Sequence, residues 1–401
     1  MNDAANRAGA GAAATDAEWL ARARALGPLI ADASAATEEA RQVTDEVMAA
    51  LHEAALFRMF LPCSLRGGEA TPMALVEVLE AVAAADASTA WCLGQAHGCT
   101  LAAAFIDAGA AGDVFGADDA VLAWGPPSGG AKAVATDGGY RVSGEWMFAS
   151  GSRHASWLGA HCPVVTEAGE PVAGAGGRPL VRTMLFPKAS ATMKDVWQVM
   201  GLRGTGSDNY TVADLFVPEA YSYRRDHPDD RREAAPIYRV PLLTFYGMAF
   251  AGVALGIARA SLDAFIDLAA KKKPHAAATL LRDNAVVQSD VAQAEARLGS
   301  ARAYLMQMIR EFWETACANE PFPLDQRARL RASITWAMNQ ARKVNEFAYL
   351  AAGATAIFEA NAFERRFRDM HAVSQQGQAH LSNFESAGQA LLGLTPSGHR
   401  V

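Results

Sequence analysis

Between about residues 16 and 115, apolar residues recur at helical spacing, as in "TDEVMAALHEAALFRMF" and "PMALVEVLEAVAAAD". "PCSLRGG" at 62–68 reads as a turn between two such helices. Asp86 and Ser88 are N-cap candidates for the helix that carries Trp91 and His97. From about 120 to 220 the pattern changes to short apolar runs bounded by Gly, Pro, Asp or Asn: "VLAWG", "AKAVAT", "YRVSGEWMFA", "VRTMLFP" and "NYTVADLFVP". "TDGGYRVSG" is a hairpin turn in this scheme, and "TEAGEPVAGAGGRP" at 166–179 a surface loop. From about 242 to 395 the helical period returns in runs of more than twenty residues, which predicts a bundle extended by oligomer contacts. The expected chain is α+β: a tail at 1–15, a helical domain at 16–118, an antiparallel β-domain at 119–225 and a helical domain at 226–401.

Composition narrows the partners. At 401 residues, 51% hydrophobic and 20% charged, the chain is an ordinary globular one. Its net charge of -7 argues against nucleic acid or an anionic membrane surface. "KKK" at 271–273 suits a helix C-terminus, where cations complement the dipole. "MNDAANRAGAGAAAT" lacks the basic start and apolar core of a signal peptide, and no charge-free run reaches the length of a membrane span. The five cysteines are scattered without a CxxC pair, which fits a reducing cytoplasm. Cys92 and Cys99 share a helix face and read as packing residues.

The stretch "SGEWMFASGSRHASW" at 143–157 does not look purely structural. Strand alternation puts Trp146, Phe148 and Ser150 on one face, with Met147 and Ala149 on the other. Gly151 and Ser152 follow, where backbone can approach something flat. "GLRGTGS" at 201–207 precedes a strand-like run, whereas a phosphate-cradling loop opens a helix. There is no P-loop, HExxH or GxSxG, and the nine histidines show no ligand spacing, so no metal is expected.

Helices, strands and helices in that order, together with "WMFASGS", "MGLRGTGSDNYTVADLFVPE" and "FRDMHAVSQQGQAHLSNFESAGQALLG", resemble the acyl-CoA dehydrogenase superfamily. Within it, the chain more closely resembles the two-component flavin-dependent monooxygenases, over about residues 16 to 395. The resemblance implies an N-terminal helical domain, an antiparallel β-barrel-like middle domain and a C-terminal four-helix bundle. It implies reduced FMN (FAD being possible), O2, a separate NAD(P)H-dependent flavin reductase, a small aromatic substrate, a homotetramer and a cytoplasmic location. Residues 148–152 (Phe148, Ala149, Ser150, Gly151, Ser152) would line the isoalloxazine ring, with the Ser150 hydroxyl and N–H at its N5/O4 edge. A hydroxyl suits that edge because it can donate or accept as the flavin changes redox state. Trp124 and Ser207 would also meet the flavin, and Arg282 and Gln288 would reach a neighbouring subunit's flavin phosphates. For Trp124 a core aromatic, for Ser207 a turn and for Arg282 an exposed helix charge are the competing readings.

The two chemistries of this superfamily need different residues. A dehydrogenase needs a carboxylate base, which in the resembled family sits about eight residues after an "RDA"-like pair. Here the pair is Arg368-Asp369 and position 377 is Gly, with Glu385 the nearest downstream carboxylate. An oxygenase needs a dry pocket and a donor that sustains a flavin C4a-hydroperoxide. His380, with His371 behind it, and His97 in "AWCLGQAHGC" are the candidates, and Ser150 supports the cofactor edge. A flavin-dependent acyl-CoA dehydrogenase using Glu385 is the alternative enzyme.

Overall fold

A computed structural model describes residues 14–174, 177–275 and 278–396. Of the expected tail, residues 1–13 lie outside these, and Thr15 already caps the first helix by accepting from Glu18 N–H. Six helices open the chain: α1 (Asp16–Ala25), α2 (Gly27–Ala40), α3 (Asp45–Glu53), α4 (Pro72–Ala85), α5 (Ala87–Thr100) and α6 (Ala108–Phe115). Asp86 is the N-cap of α5, its carboxylate accepting from Thr89 N–H at 2.7 Å. Nearly all of α5 is buried, Cys92 and Cys99 included, so this helix is the axis on which the site is built.

Eight strands follow: β1 (Leu122–Trp124), β2 (Lys132–Thr136), β3 (Gly139–Ala149), β4 (Trp157–Val165), β5 (Val181–Pro187), β6 (Thr192–Lys194), β7 (Asp208–Pro218) and β8 (Ser222–Tyr223). They hydrogen-bond in the order β6-β7-β3-β2-β4-β5-β8, with β1 added beside β4. All pairings are antiparallel except those of β4 with β1 and β2, which run parallel.

Three long helices return, α7 (Leu242–Ala269), α8 (Ala285–Ala318) and α9 (Leu324–Ala352), closed by α10 (Ala362–Val373) and α11 (Ser382–Leu391). α7 packs between α4 and α9. An added Cβ at Gly256 would stand 2.3 Å from Glu80 O, so this glycine lets α4 and α7 touch backbone to backbone. By length and hydropathy α7 could cross a membrane. However, 72% of its most apolar eighteen-residue stretch is buried inside the protein, which accounts for its composition.

Candidate active site

The pairing of β3 with β7 shifts between Trp146 and Ala149: Trp146 faces Tyr210 and Ala149 faces Asp208, so β3 carries one extra residue. Phe148 absorbs it at φ 57°, a conformation that costs a bulky side chain about 1–3 kcal/mol. Trp146 is fully buried and stacked on Tyr210, while Phe148 is 56% exposed with its ring edge-on to Trp197 at 6.1 Å. The expected common face of Trp146, Phe148 and Ser150 is therefore corrected: the bulge turns Phe148 out and leaves Trp146 in the core. Beneath it runs the segment after β1, where a Cβ on Gly125 would lie 1.7 Å from Met147 O.

Behind Phe148 a chain of buried hydroxyls runs through the protein. Trp91 Nε1–H on α5 donates to Ser150 Oγ at 3.0 Å. Ser150 Oγ is 2.7 Å from Ser207 Oγ, which is 2.7 Å from Thr205 Oγ1. The Thr205 hydroxyl donates to Leu202 O at 2.9 Å. Ser150 N–H is already bound to Phe148 O at 2.9 Å, so of its N–H and hydroxyl it is the hydroxyl oxygen that is left for a ligand. Gly151, at φ 76°, donates its N–H to Thr205 O and ties the two segments together.

The remaining residues singled out from sequence divide. Ala149 and Ser152 are fully buried, and Ser152 donates to Gly206 O, so neither side chain offers surface to a ligand. Trp124 is 3% exposed, packed edge-on to His161 at 5.1 Å, and takes the core alternative. Its carbonyl accepts from Gln95 Nε2 at 3.1 Å. Trp91, Gln95 and Gly98 form one stripe of α5, and His97 points about 120° away from Trp91. His97 is fully buried at the edge of Phe60, its Nε2–H bonded to Leu56 O at 2.8 Å. His97 therefore faces Leu56 and Phe60 and not the stripe that carries Trp91, with its Nδ1 buried and unpaired. Burial pushes its imidazole down to about 4.

Those values set an acid limit. Because His97 is depressed below its ordinary 6.5, the neutral ring's contribution is complete above that value and is lost as pH falls from about 6.5 toward about 4. His97→Ala should cost about 2–4 kcal/mol at pH 7 through the cavity it leaves. It should also flatten the acid side of the stability curve, read from urea melts at pH 7 and pH 5.

His380 sits on an exposed turn between α10 and α11 that α9 holds firmly. Thr335 Oγ1 donates to Gln378 O at 2.8 Å, Asn339 Nδ2 to Ala379 O at 2.9 Å and Asn383 Nδ2 to Gly377 O at 2.9 Å. Ser382 N–H donates to His380 Nδ1 at 3.2 Å, which puts the neutral ring's proton on Nε2. His371 instead lies on α10 against Phe367, 3.6 Å from Glu346. Gly377 brings no carboxylate to the turn, and Glu385 is exposed in the first turn of α11. Arg282 and Gln288 are exposed where α8 begins, joined by Gln288 Nε2–H to Arg282 O at 2.9 Å.

Arg368 and Asp369 work as a staple. Asp369 is buried and accepts from Leu202 N–H at 2.7 Å; burial, reinforced by Asp86, pushes its carboxyl up to about 7. Arg368 Nη1–H donates to Met200 O at 2.6 Å. A cavity of about 660 Å³ lies beside this staple among Glu38, Arg41, Arg203, Glu364, Arg365 and Arg368, and none of the residues around Ser150 lines it. Another, of about 300 Å³, is lined by Phe312, Leu330 and Ile334 on α8 and α9 together with Arg225, Asp226, Arg327 and Arg331. Ile334 also lies 3.0 Å from the Cβ position of Gly247, which is 3.6 Å from Gln378 on the His380 turn. An outward aromatic ring on strained backbone with a hydroxyl oxygen two residues on fits a flat, hydrogen-bonding ring system such as a flavin. Sequence reading gave no site role to Trp91, Thr205 or Asp369; the Trp91–Gln95–Gly98 stripe was the available signal for the first.

Residues 248–380 match the family described as acyl-CoA dehydrogenase, C-terminal domain. Over 359 residues the chain is 30% identical to the indole-3-acetate monooxygenase of Pseudomonas putida, covering 89% of each chain. It is 29% identical to the flavin-dependent monooxygenase oxygenase subunit HsaA of Rhodococcus jostii, covering 94% of this chain and 98% of the relative. The crystal structure of 3-HSA hydroxylase from Rhodococcus sp. RHA1 superposes with a TM-score of 0.86 at 27% identity, covering 96% and 99% of the two chains.

Proposed function

The chain belongs to the acyl-CoA dehydrogenase-like flavin-dependent monooxygenases, and on that premise we propose that it is the oxygenase component of a two-component system. It takes reduced flavin from a separate NAD(P)H-dependent reductase and uses O2 to hydroxylate or oxygenate a small aromatic substrate in the cytoplasm. Reduced FMN is the proposed cofactor, with FAD as the second choice. Bound reduced flavin supplies the electrons and the site of O2 activation. Phe148 and Ser150 would hold the flavin, Phe148 with its ring and Ser150 with its hydroxyl at the N5/O4 edge, and His380 on the pinned turn would supply an N–H donor to the oxygen chemistry. The 300 Å³ cavity has the size for one or two aromatic rings, with apolar Phe312, Leu330 and Ile334 facing charged Arg225, Asp226, Arg327 and Arg331 in its lining. The proposal includes a homotetramer, with Arg282 and Gln288 reaching a neighbouring copy's flavin phosphates. Exposed Ile357, Phe358 and Leu392 supply apolar surface for such contacts.

The observation that carries the choice of chemistry is the turn at 377. Its hydrogen bonds fix Gln378 and Ala379 to α9 and Gly377 to Asn383 of α11 with no carboxylate among them, so a proton α to a thioester has no base there. The test supplies photoreduced FMN or FAD with O2 and a panel of phenols and indoles. Oxygenated product is expected, and Glu385→Gln should leave its yield within about twofold of wild type. Bleaching of protein-bound oxidised flavin by an acyl-CoA, abolished in Glu385→Gln, would replace this reading with a dehydrogenase.

A further inference from the structure

The buried hydroxyl chain admits one proton arrangement in which every contact is made. Trp91 Nε1 can only donate, and Leu202 O can only accept. Between them lie three hydroxyls with one proton each, and four contacts: Trp91 to Ser150, Ser150 to Ser207, Ser207 to Thr205, and Thr205 to Leu202. The Thr205 proton is committed to Leu202 O, so the Ser207 proton must serve Thr205. The Ser150 proton must then serve Ser207. Ser150 Oγ keeps one lone pair and has no proton to offer outward. All three hydroxyls are 6% exposed or less, so water does not compete for these contacts.

We propose that Ser207 and Thr205 are positioning residues that lock the Ser150 hydroxyl as an acceptor, so that the site selects a flavin whose N5 carries a proton. This rests on the proposed placement of a flavin edge at Ser150. Reduced flavin has N5–H and can donate to the lone pair. Oxidised flavin has only a lone pair at N5, and two acceptors face each other. The expectation from sequence, that this hydroxyl changes role with the flavin's redox state, is thereby replaced by a fixed role. The consequence is functional: the oxygenase takes up the reduced carrier and lets go of the oxidised one, without a moving part.

The test measures equilibrium binding of FMN to the full-length protein, oxidised in air and photoreduced under anaerobic conditions. Wild type should bind reduced FMN at least about tenfold more tightly, the scale of one hydrogen bond. Thr205→Val removes the hydroxyl that consumes the Ser207 proton, freeing Ser207 to donate to Ser150 and Ser150 to donate outward. Leu202 O is not orphaned, because Trp197 Nε1–H and Thr205 N–H still donate to it at 2.9 and 3.1 Å. The preference for reduced FMN should fall about tenfold in Thr205→Val and in Ser207→Ala, and return in Thr205→Ser. An unchanged preference in folded Thr205→Val and Ser207→Ala protein, checked by near-UV circular dichroism, overturns the relay. Failure of wild type to bind FMN or FAD in either form overturns the flavin placement beneath it.

Discussion

His380→Ala is expected to slow oxygenation of the aromatic substrate by about a hundredfold, the usual scale for removing a positioned proton donor or acceptor. Flavin oxidation should continue, its electrons leaving as hydrogen peroxide. Nδ1 of this ring accepts from Ser382 N–H, so the neutral side chain presents Nε2–H, a donor suited to an oxygen atom gaining negative charge. The turn is fixed by Thr335, Asn339 and Asn383, so the ring is held by backbone contacts that the substitution does not touch. His380→Gln, which keeps an N–H donor, should recover part of the rate. The measurement is product and peroxide formed per reduced flavin consumed; wild-type yield from His380→Ala would remove the histidine from the mechanism.

Gly125→Ala is expected to be the most damaging single methyl in the β-region. The added Cβ would stand 1.7 Å from Met147 O, 2.8 Å from Met147 C and 3.1 Å from Phe148 C. All three atoms are backbone, so no side chain can rotate away; the bulge that presents Phe148 would have to move. A loss of about 3 kcal/mol or more, with flavin binding lost as well, is the expected result. Gly299→Ala is the control, because nothing lies within 4 Å of its Cβ position in α8, and there alanine should be neutral or slightly stabilising. Thermal melts with and without FMN compare the two; an equal Tm for Gly125→Ala and wild type would contradict the steric account.

The long helices were legible because a sustained helical period has few other solutions, and α7, α8 and α9 stand where the period placed them. The strands were legible in order but not in detail. Alternation assumes no inserted residue, so the bulge turned Phe148 off the face it was expected to share with Trp146. His97 drew attention as a titratable residue, yet its place around α5 turns it toward Leu56 and Phe60. Ser150 and Ser207 could each be marked from their motifs. Their coupling through Thr205 and Trp91 depends on contacts such as the one 59 residues apart in sequence, which no local pattern encodes.

Asp369 holds Leu202 N–H across a separation of 167 residues, and Leu202 O is where the hydroxyl chain ends. Closing so large a loop comes late, after the local helices and hairpins have formed. The edge beside Ser150 therefore belongs to no single segment of the chain and cannot be inherited by any one of them. Residues 119–225 transplanted into another protein would carry every strand and both serines but not the carboxylate that anchors the far end. For a protein engineer, the smallest portable unit of this cofactor edge is nearly the whole molecule.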